Sequence, residues 1–255
     1  MTTTISGQTG PQTEFLKTPA DICIYGGAAG GGKTVGLILE PLRYVGRVAN
    51  FTAVYFRRTM PQITNPGGLW DESLKFYPRL GGTPYTGVRE WRWPRGSKIK
   101  FSHLQFETTV YDWQGSQIAL ICFDELTHFT AHQFFYMVSR NRSTCGVRPY
   151  IRATCNPDAD SWVADFLAWI DQESGQPIPE RAGLPRHFIR IANKIVWAKG
   201  KNMAEKMRYN KIIDLLEHGK PVFSTSTVPN GSLDDLTYIA DADYDAVIIE
   251  MGANR

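Results

Sequence analysis

Ile22-Cys23-Ile24-Tyr25-Gly26-Gly27-Ala28-Ala29-Gly30-Gly31-Gly32-Lys33-Thr34 is the stretch from which the rest of the chain is read. Gly27 to Thr34 fit the spacing GxxxxGK[ST] in full. An apolar run that reads as a buried strand precedes them, and Val35-Gly36-Leu37-Ile38-Leu39-Glu40, which reads as the start of a helix, follows. The residue types have a chemical reason. Gly27, Gly30, Gly31 and Gly32, with Ala28 and Ala29 inside the same loop, keep bulky side chains away. Backbone N–H groups and the following helix start can then point at a polyphosphate. Lys33 adds a point charge for the β- and γ-phosphates of ATP, and the Thr34 hydroxyl is placed to ligate Mg²⁺. A Gly-rich turn that matches by accident is the competing reading, and the strand-to-helix context weighs against it.

The 255 residues suffice for one large α/β domain with a sizeable core. A hydrophobic share of 42% describes a globular chain, and no apolar run approaches the roughly 18 residues of a membrane span. No membrane partner is expected, and Met1-Thr2-Thr3-Thr4-Ile5 lacks the basic and apolar regions of a secretory signal. Cys23, Cys122, Cys145 and Cys155 have no CxxC spacing and read as small apolar or free residues in a reducing compartment. Of 28 basic and 25 acidic side chains, the first 206 residues carry 24 and 17, the last 49 only 4 and 8. The basic part points to a polyanionic partner.

Upstream of the loop, residues 1–14 read as a flexible lead-in. Gln12 has two readings, an amide that pairs with an adenine edge or a solvated loop side chain. Downstream, Phe51 to Phe56 reads as a strand that delivers Arg57-Arg58 near the nucleotide, since ligands bind beyond the carboxyl ends of such strands. Leu69 to Tyr77 reads as a short helix. Residues 89–93 and 98–103 read as a hairpin. Its five cations, interleaved with Trp91, Trp93 and Phe101, either track a nucleic-acid backbone or form a solvated face above core aromatics.

Ile118 to Phe123 followed by Asp124-Glu125 describes a strand buried on both faces that ends in two carboxylates. Asp124 is placed to hold Mg²⁺ and Glu125 to orient and deprotonate the attacking water. Thr130 to Arg142 has helical character, and Arg140 and Arg142 at its end, like Arg58, are candidates to stabilise γ-phosphate charge. Cations are also favoured at a helix end for its dipole alone. Thr154 and Asn156 follow a further strand, where they either sense the γ-phosphate or form an ordinary Asn-Pro turn.

With these residues together, the chain resembles the large terminase subunit of tailed bacteriophages, the ATPase that packages DNA into proheads. The likeness rests on Gln12 with Phe15-Leu16, Gly27 to Thr34, Phe56-Arg57-Arg58-Thr59, Trp113 to Ser116 leading into Asp124-Glu125, Ser139 to Arg142, and Thr154-Cys155-Asn156-Pro157 followed by Ser161-Trp162-Val163. The resemblance implies that Gln12 serves the adenine motif, that Asp124 and Glu125 are the metal and catalytic acids, and that Thr154 to Asn156 form the coupling motif. It also implies a P-loop NTPase of the additional-strand type: a mostly parallel sheet flanked by helices, the phosphate-loop and Asp-Glu strands separated by an inserted strand, with an extra β-hairpin. The partners it implies are double-stranded DNA, a homo-oligomeric ring, the small terminase subunit and the portal. The place of action is the cytoplasm of the infected bacterium, with no place in the virion after packaging. Another DNA-dependent ATPase, such as a helicase, and a non-catalytic nucleotide- or DNA-binding fragment are the rival functions.

Two departures stand beside this. The family's C-terminal nuclease domain has no counterpart in the chain, so nuclease activity is not expected. The ATPase domain is expected over 15–203 and an αβαβ-like tail over 204–255. From Met207 the tail resembles the opening of an HpcH/HpaI-type aldolase barrel, of which it holds only the first units.

Overall fold

A computed structural model of the chain describes residues 5–27, 30–156, 158–167, 178–181, 183–191, 194–198 and 244–250. It divides into a first unit, residues 1–184 with 247–255, and a second, residues 185–246. In chain order the first unit contains α1 (Pro11–Lys17), β1 (Ile22–Gly26), α2 (Lys33–Leu39), α3 (Leu42–Val45), β2 (Thr52–Arg57), α4 (Met60–Thr64) and α5 (Leu69–Phe76). There follow β3 (Thr83–Tyr85), β4 (Glu90–Arg92), β5 (Lys98–His103), β6 (Leu120–Phe123), α6 (Ala131–Val138), β7 (Tyr150–Cys155) and α7 (Trp162–Leu167). The second holds an antiparallel pair, β8 (Arg186–Ile191) and β9 (Lys194–Ala198), with Tyr244–Ala246 at the start of β10 (Tyr244–Glu250) antiparallel to β8.

Seven strands of the first unit lie in the order β3-β4-β5-β2-β6-β7-β1. From β5 to β1 every neighbour is parallel. That is why β1, β6 and β7 are buried at every position: helices cover both faces, and nothing in the strand sequence needs to alternate. The inserted strand of the sequence reading is β7, lying between β1 and β6. At the other end the pairing turns antiparallel, and alternation returns. Trp91, Trp93, Ile99 and Phe101 are buried while Arg92, Lys98 and Lys100 are exposed. The hairpin aromatics are therefore core, and only its cations face solvent. β3, carrying Pro84, is an edge strand, where a missing N–H costs nothing.

The lead-in reading of 1–14 is corrected from residue 8 onward. Pro11–Lys17 are helical, and Gln12 and Phe15 are buried. Phe15 stacks on Tyr25 at 5.2 Å and seats α1 beside the phosphate-loop strand. The helix predicted from Thr130 to Arg142 is shorter, Ala131–Val138, and opens on a capping box in which Thr130 and Gln133 each bond the other's main-chain N–H.

α2 ends inside the core, where its last carbonyls have no water. Two hydroxyls replace it: Tyr55 of β2 donates to Leu37 O at 2.7 Å, and Tyr77 donates to Ile38 O at 2.9 Å. A buried ion cluster adds a second tie. Glu40, fully buried just past α2, pairs with Arg43 at 2.9 Å and with Arg152 of β7 at 3.5 Å. Arg152 also donates to the carbonyls of Thr18, Ala20 and Ile151. Of the αβαβ-like tail expected over 204–255, only β10 is described; residues 199–243 and 251–255 lie outside the described residues.

Candidate functional site

Strand parity brings the site together. The registers Phe56↔Phe123 and Phe123↔Ala153 set Arg57, Asp124 and Thr154 level with one another one residue further on. All three share the sheet face of Tyr55, Cys122 and Arg152, the face against which α2 packs. Asp124 is 1% exposed. Its Oδ1 accepts the Thr154 hydroxyl at 2.7 Å, and its Oδ2 lies 2.7 Å from Arg57 Nε. That second contact lacks hydrogen-bond geometry, so both Oδ2 and Nε are buried atoms held by charge alone. Burial pushes the Asp124 carboxyl above its usual range, opposed by Arg57 and by the Thr154 bond.

Glu125 takes φ 60°, ψ 65°, a left-handed conformation costing a residue with a Cβ about 1–2 kcal/mol. The turn lets its N–H donate to Thr154 Oγ1 at 3.1 Å and its Oε2 accept from Asn156 N at 3.3 Å. Strain at a residue of this chemistry is a mark of function. Asn156 Oδ1 in turn accepts from Lys33 Nζ at 3.1 Å, and Lys33, 7% exposed, also donates to Gly27 O at 2.6 Å. A continuous path of polar contacts thus runs from Arg57 through Asp124, Thr154, Glu125 and Asn156 to Lys33, across the carboxyl ends of β2, β6, β7 and β1.

Three candidate residues are engaged away from this path. Gln12 is buried at 4% exposure; its Nε2 donates to Gly32 O at 2.8 Å and its Oε1 accepts from Gln8 N at 2.6 Å. It braces the phosphate loop instead of presenting its amide to a base. Gly32 permits this: its φ is 70°, and a Cβ there would come within 2.9 Å of Gln12 Nε2. Arg58, one residue out of phase with Arg57, leaves on the other face, where Nη1 donates to Gln133 Oε1 at 2.7 Å. Gln133, fully buried on α6, also donates to Leu104 O and Phe106 O, so Arg58 completes a structural hub. Arg58→Ala is expected to cost about 1–3 kcal/mol of stability in denaturant unfolding while leaving nucleotide affinity within about twofold. Arg142 is exposed, with Nε on Ser139 O. Its neighbour Asn141 bonds carbonyls of Ile118, Ala119 and Tyr150, at the amino ends of β6 and β7. Arg142 therefore lies at the edge of the sheet opposite its own chain's carboxylates. Of the pair Arg57-Arg58 expected near the nucleotide, it is Arg57 that joins the carboxylates, a choice made by the register of β2 against β6.

The donor chemistry fits Mg²⁺. Among the described residues no group of three or more His, Cys, Asp or Glu could hold a metal. Asp124 Oδ2 is a buried carboxylate oxygen without a hydrogen bond, and one such carboxylate together with a hydroxyl such as that of Thr34 is the kind of sparse oxygen set that Mg²⁺ would complete with phosphates and water. Ala28 and Ala29 of the loop lie outside the described residues.

The family model described as "Terminase large subunit, T4likevirus-type, N-terminal" matches residues 24–236. Among solved structures, an ATPase-domain variant of the large terminase from Thermus phage P74-26 is 10% identical, with a TM-score of 0.51 over 92% of this chain and 93% of that one. The HK97 bacteriophage large terminase is 14% identical, with a TM-score of 0.50 over 84% of this chain and 49% of its own. The large terminase of a thermophilic bacteriophage is 15% identical, with a TM-score of 0.49 over 61% of this chain; the chain spans 41% of its length. That thermophilic phage protein has also been solved with ADP and with ATP-gamma-S. At such identities the likeness shows the fold alone. No curated protein matches the chain by sequence.

Proposed function

The chain belongs to the terminase large-subunit family through its N-terminal region, and on that premise we propose that it hydrolyses Mg-ATP to drive double-stranded DNA into a prohead, as one subunit of a homo-oligomeric ring in the infected host cell. The observation that carries this reading is the unbroken path from Lys33 to Asp124, which puts phosphate, metal and water chemistry within one cluster. Lys33 and the loop amides hold the phosphates, and Thr34 and Asp124 hold Mg²⁺. When bound, Mg²⁺ would supply the positive charge that neutralises charge developing on the phosphates. Glu125 orients the attacking water and takes its proton. Asn156 bonds both Lys33 and Glu125, so loss of a phosphate from Lys33 is felt at the end of β7.

The test is phosphate release from Mg-ATP with and without double-stranded DNA. DNA-stimulated turnover that is lost in Lys33→Ala and Glu125→Ala supports the motor. Nucleotide binding without turnover favours a fragment that needs the rest of a longer subunit, and equal turnover in wild type and Lys33→Ala refutes the site. Dependence on single strands, with unwinding, favours a helicase.

For the DNA contact, we assign the outward face of β4 and β5. Arg92 and Lys98 sit directly opposite each other, like charges that the carboxylate of Glu90 on this face, paired with Arg92 at 2.5 Å and opposite Lys100, offsets only in part, and Lys100 lies 5.5 Å from the Trp113 ring centroid. A polyanion offsets the remainder. Replacing Lys98 and Lys100 with alanine is expected to reduce the salt slope of DNA binding by about two, leaving ATP binding unchanged.

A further inference from the structure

Arg57 is held against Asp124 by charge without a hydrogen bond, and it covers the one oxygen of that carboxylate that Thr154 leaves over. The Asp124 Oδ2 atom has no exposure to solvent while Arg57 stays in place, whereas the Arg57 side chain is 20% exposed at the carboxyl end of β2. A hydrogen-bonded guanidinium would be costly to dislodge; an ion contact off the hydrogen-bond axis yields to a better counter-charge. A divalent cation is such a counter-charge. We infer that Arg57 and the metal exchange: Mg²⁺ takes Asp124 Oδ2, and the released guanidinium moves onto the terminal phosphate of the nucleotide.

This rests on the ATPase reading and gives that reading its intrachain arginine. It follows from the parity that separates Arg57 from Arg58, and from the placement of Arg142 at the far edge. The exchange couples two events, because the arginine reaches the phosphate only once the metal has entered. Without a terminal phosphate the freed guanidinium has no acceptor, so ADP gains less from Arg57 than ATP does.

The experiment compares wild type, Arg57→Gln and Arg57→Lys, each checked for cooperative thermal unfolding. The first readout is Mn²⁺ binding without nucleotide, by electron paramagnetic resonance. Arg57→Gln is expected to bind Mn²⁺ about tenfold more tightly than wild type, and Arg57→Lys to fall between them. A residue that merely shapes Asp124 would weaken metal binding when removed. The second readout is the ratio of ATP-gamma-S to ADP affinity in Mg²⁺, expected to fall about tenfold in Arg57→Gln, with ADP affinity kept. Unchanged or weaker Mn²⁺ binding in Arg57→Gln overturns the exchange while ADP binding leaves the ATPase reading standing. Absence of ADP binding in all three proteins overturns both. If Arg57→Gln does not fold, Arg57→Lys decides, since equal Mn²⁺ affinity to wild type there overturns the exchange.

Discussion

Glu125→Gln is expected to lower the proposed ATP turnover by about a thousandfold, within the usual range for a lost general base, and to leave ATP affinity within about threefold of wild type. The amide keeps the size of the side chain and its acceptor for Asn156 N–H, but it has no basicity to give a water. Glu125→Gly separates chemistry from architecture. It loses turnover to the same degree and also removes the Cβ that makes φ 60° costly, so its melting temperature stays at or above that of wild type. Single-turnover phosphate release with calorimetric binding checks the first claim, and thermal unfolding the second. A glycine variant that melts far below wild type would mean that the Glu125 carboxylate holds the fold together and is not spared for catalysis.

Glu40→Ala is expected to destabilise the chain by about 3–5 kcal/mol, because it strands a guanidinium that has no access to water. Arg152 is 2% exposed, and Glu40 is the carboxylate with which it pairs. Burial raises the Glu40 carboxyl above its usual range, and the two guanidiniums of Arg152 and Arg43 oppose that shift. Replacing Glu40 and Arg152 together with leucine and methionine is expected to recover much of the loss, since the buried guanidinium goes with its carboxylate and Arg43, 34% exposed, is left within reach of water. Chemical denaturation of the two single variants and the double variant gives the coupling directly. Additive losses would show that the two residues do not act as a pair.

Much of this site was legible in the sequence because its parts are local. Gly27 to Thr34 declare a strand, a loop and a helix within a short span, and Asp124-Glu125 declare the end of a buried strand. The insertion of β7 between their strands followed from the resemblance. What was not legible depends on register. Arg57 and Arg58 are adjacent, chemically identical and both at a strand end, so composition cannot choose between them. The choice is made by a period of two measured against β6, fixed only once Phe56 lies opposite Phe123. Gln12 misled for a related reason. It does lie beside the loop, but the close approach that Gly32 allows decides where the amide points, and no local pattern announces it. Arg142 was expected inside a helix reaching to it, but the helix that opens on the capping box stops at Val138 and the arginine lies exposed beyond it, away from its own chain's carboxylates.

The two phenols that close α2 have an optical consequence. Tyr55 and Tyr77 are fully buried, their hydroxyl oxygens 3.1 Å apart, and burial pushes both well above the ordinary phenol range. A phenol whose folded pKa is raised lends stability that is complete below the unfolded value near 10 and is lost as the solution becomes more alkaline. In an alkaline titration this pair is therefore expected to turn to tyrosinate only when the helix that begins at Lys33 lets go, with Tyr150 of β7, raised by burial in the same way, adding to the late signal. The ultraviolet difference between the unmodified chain and a Tyr150→Phe variant separates the two, and what remains is a built-in dye for the opening of the phosphate-loop helix.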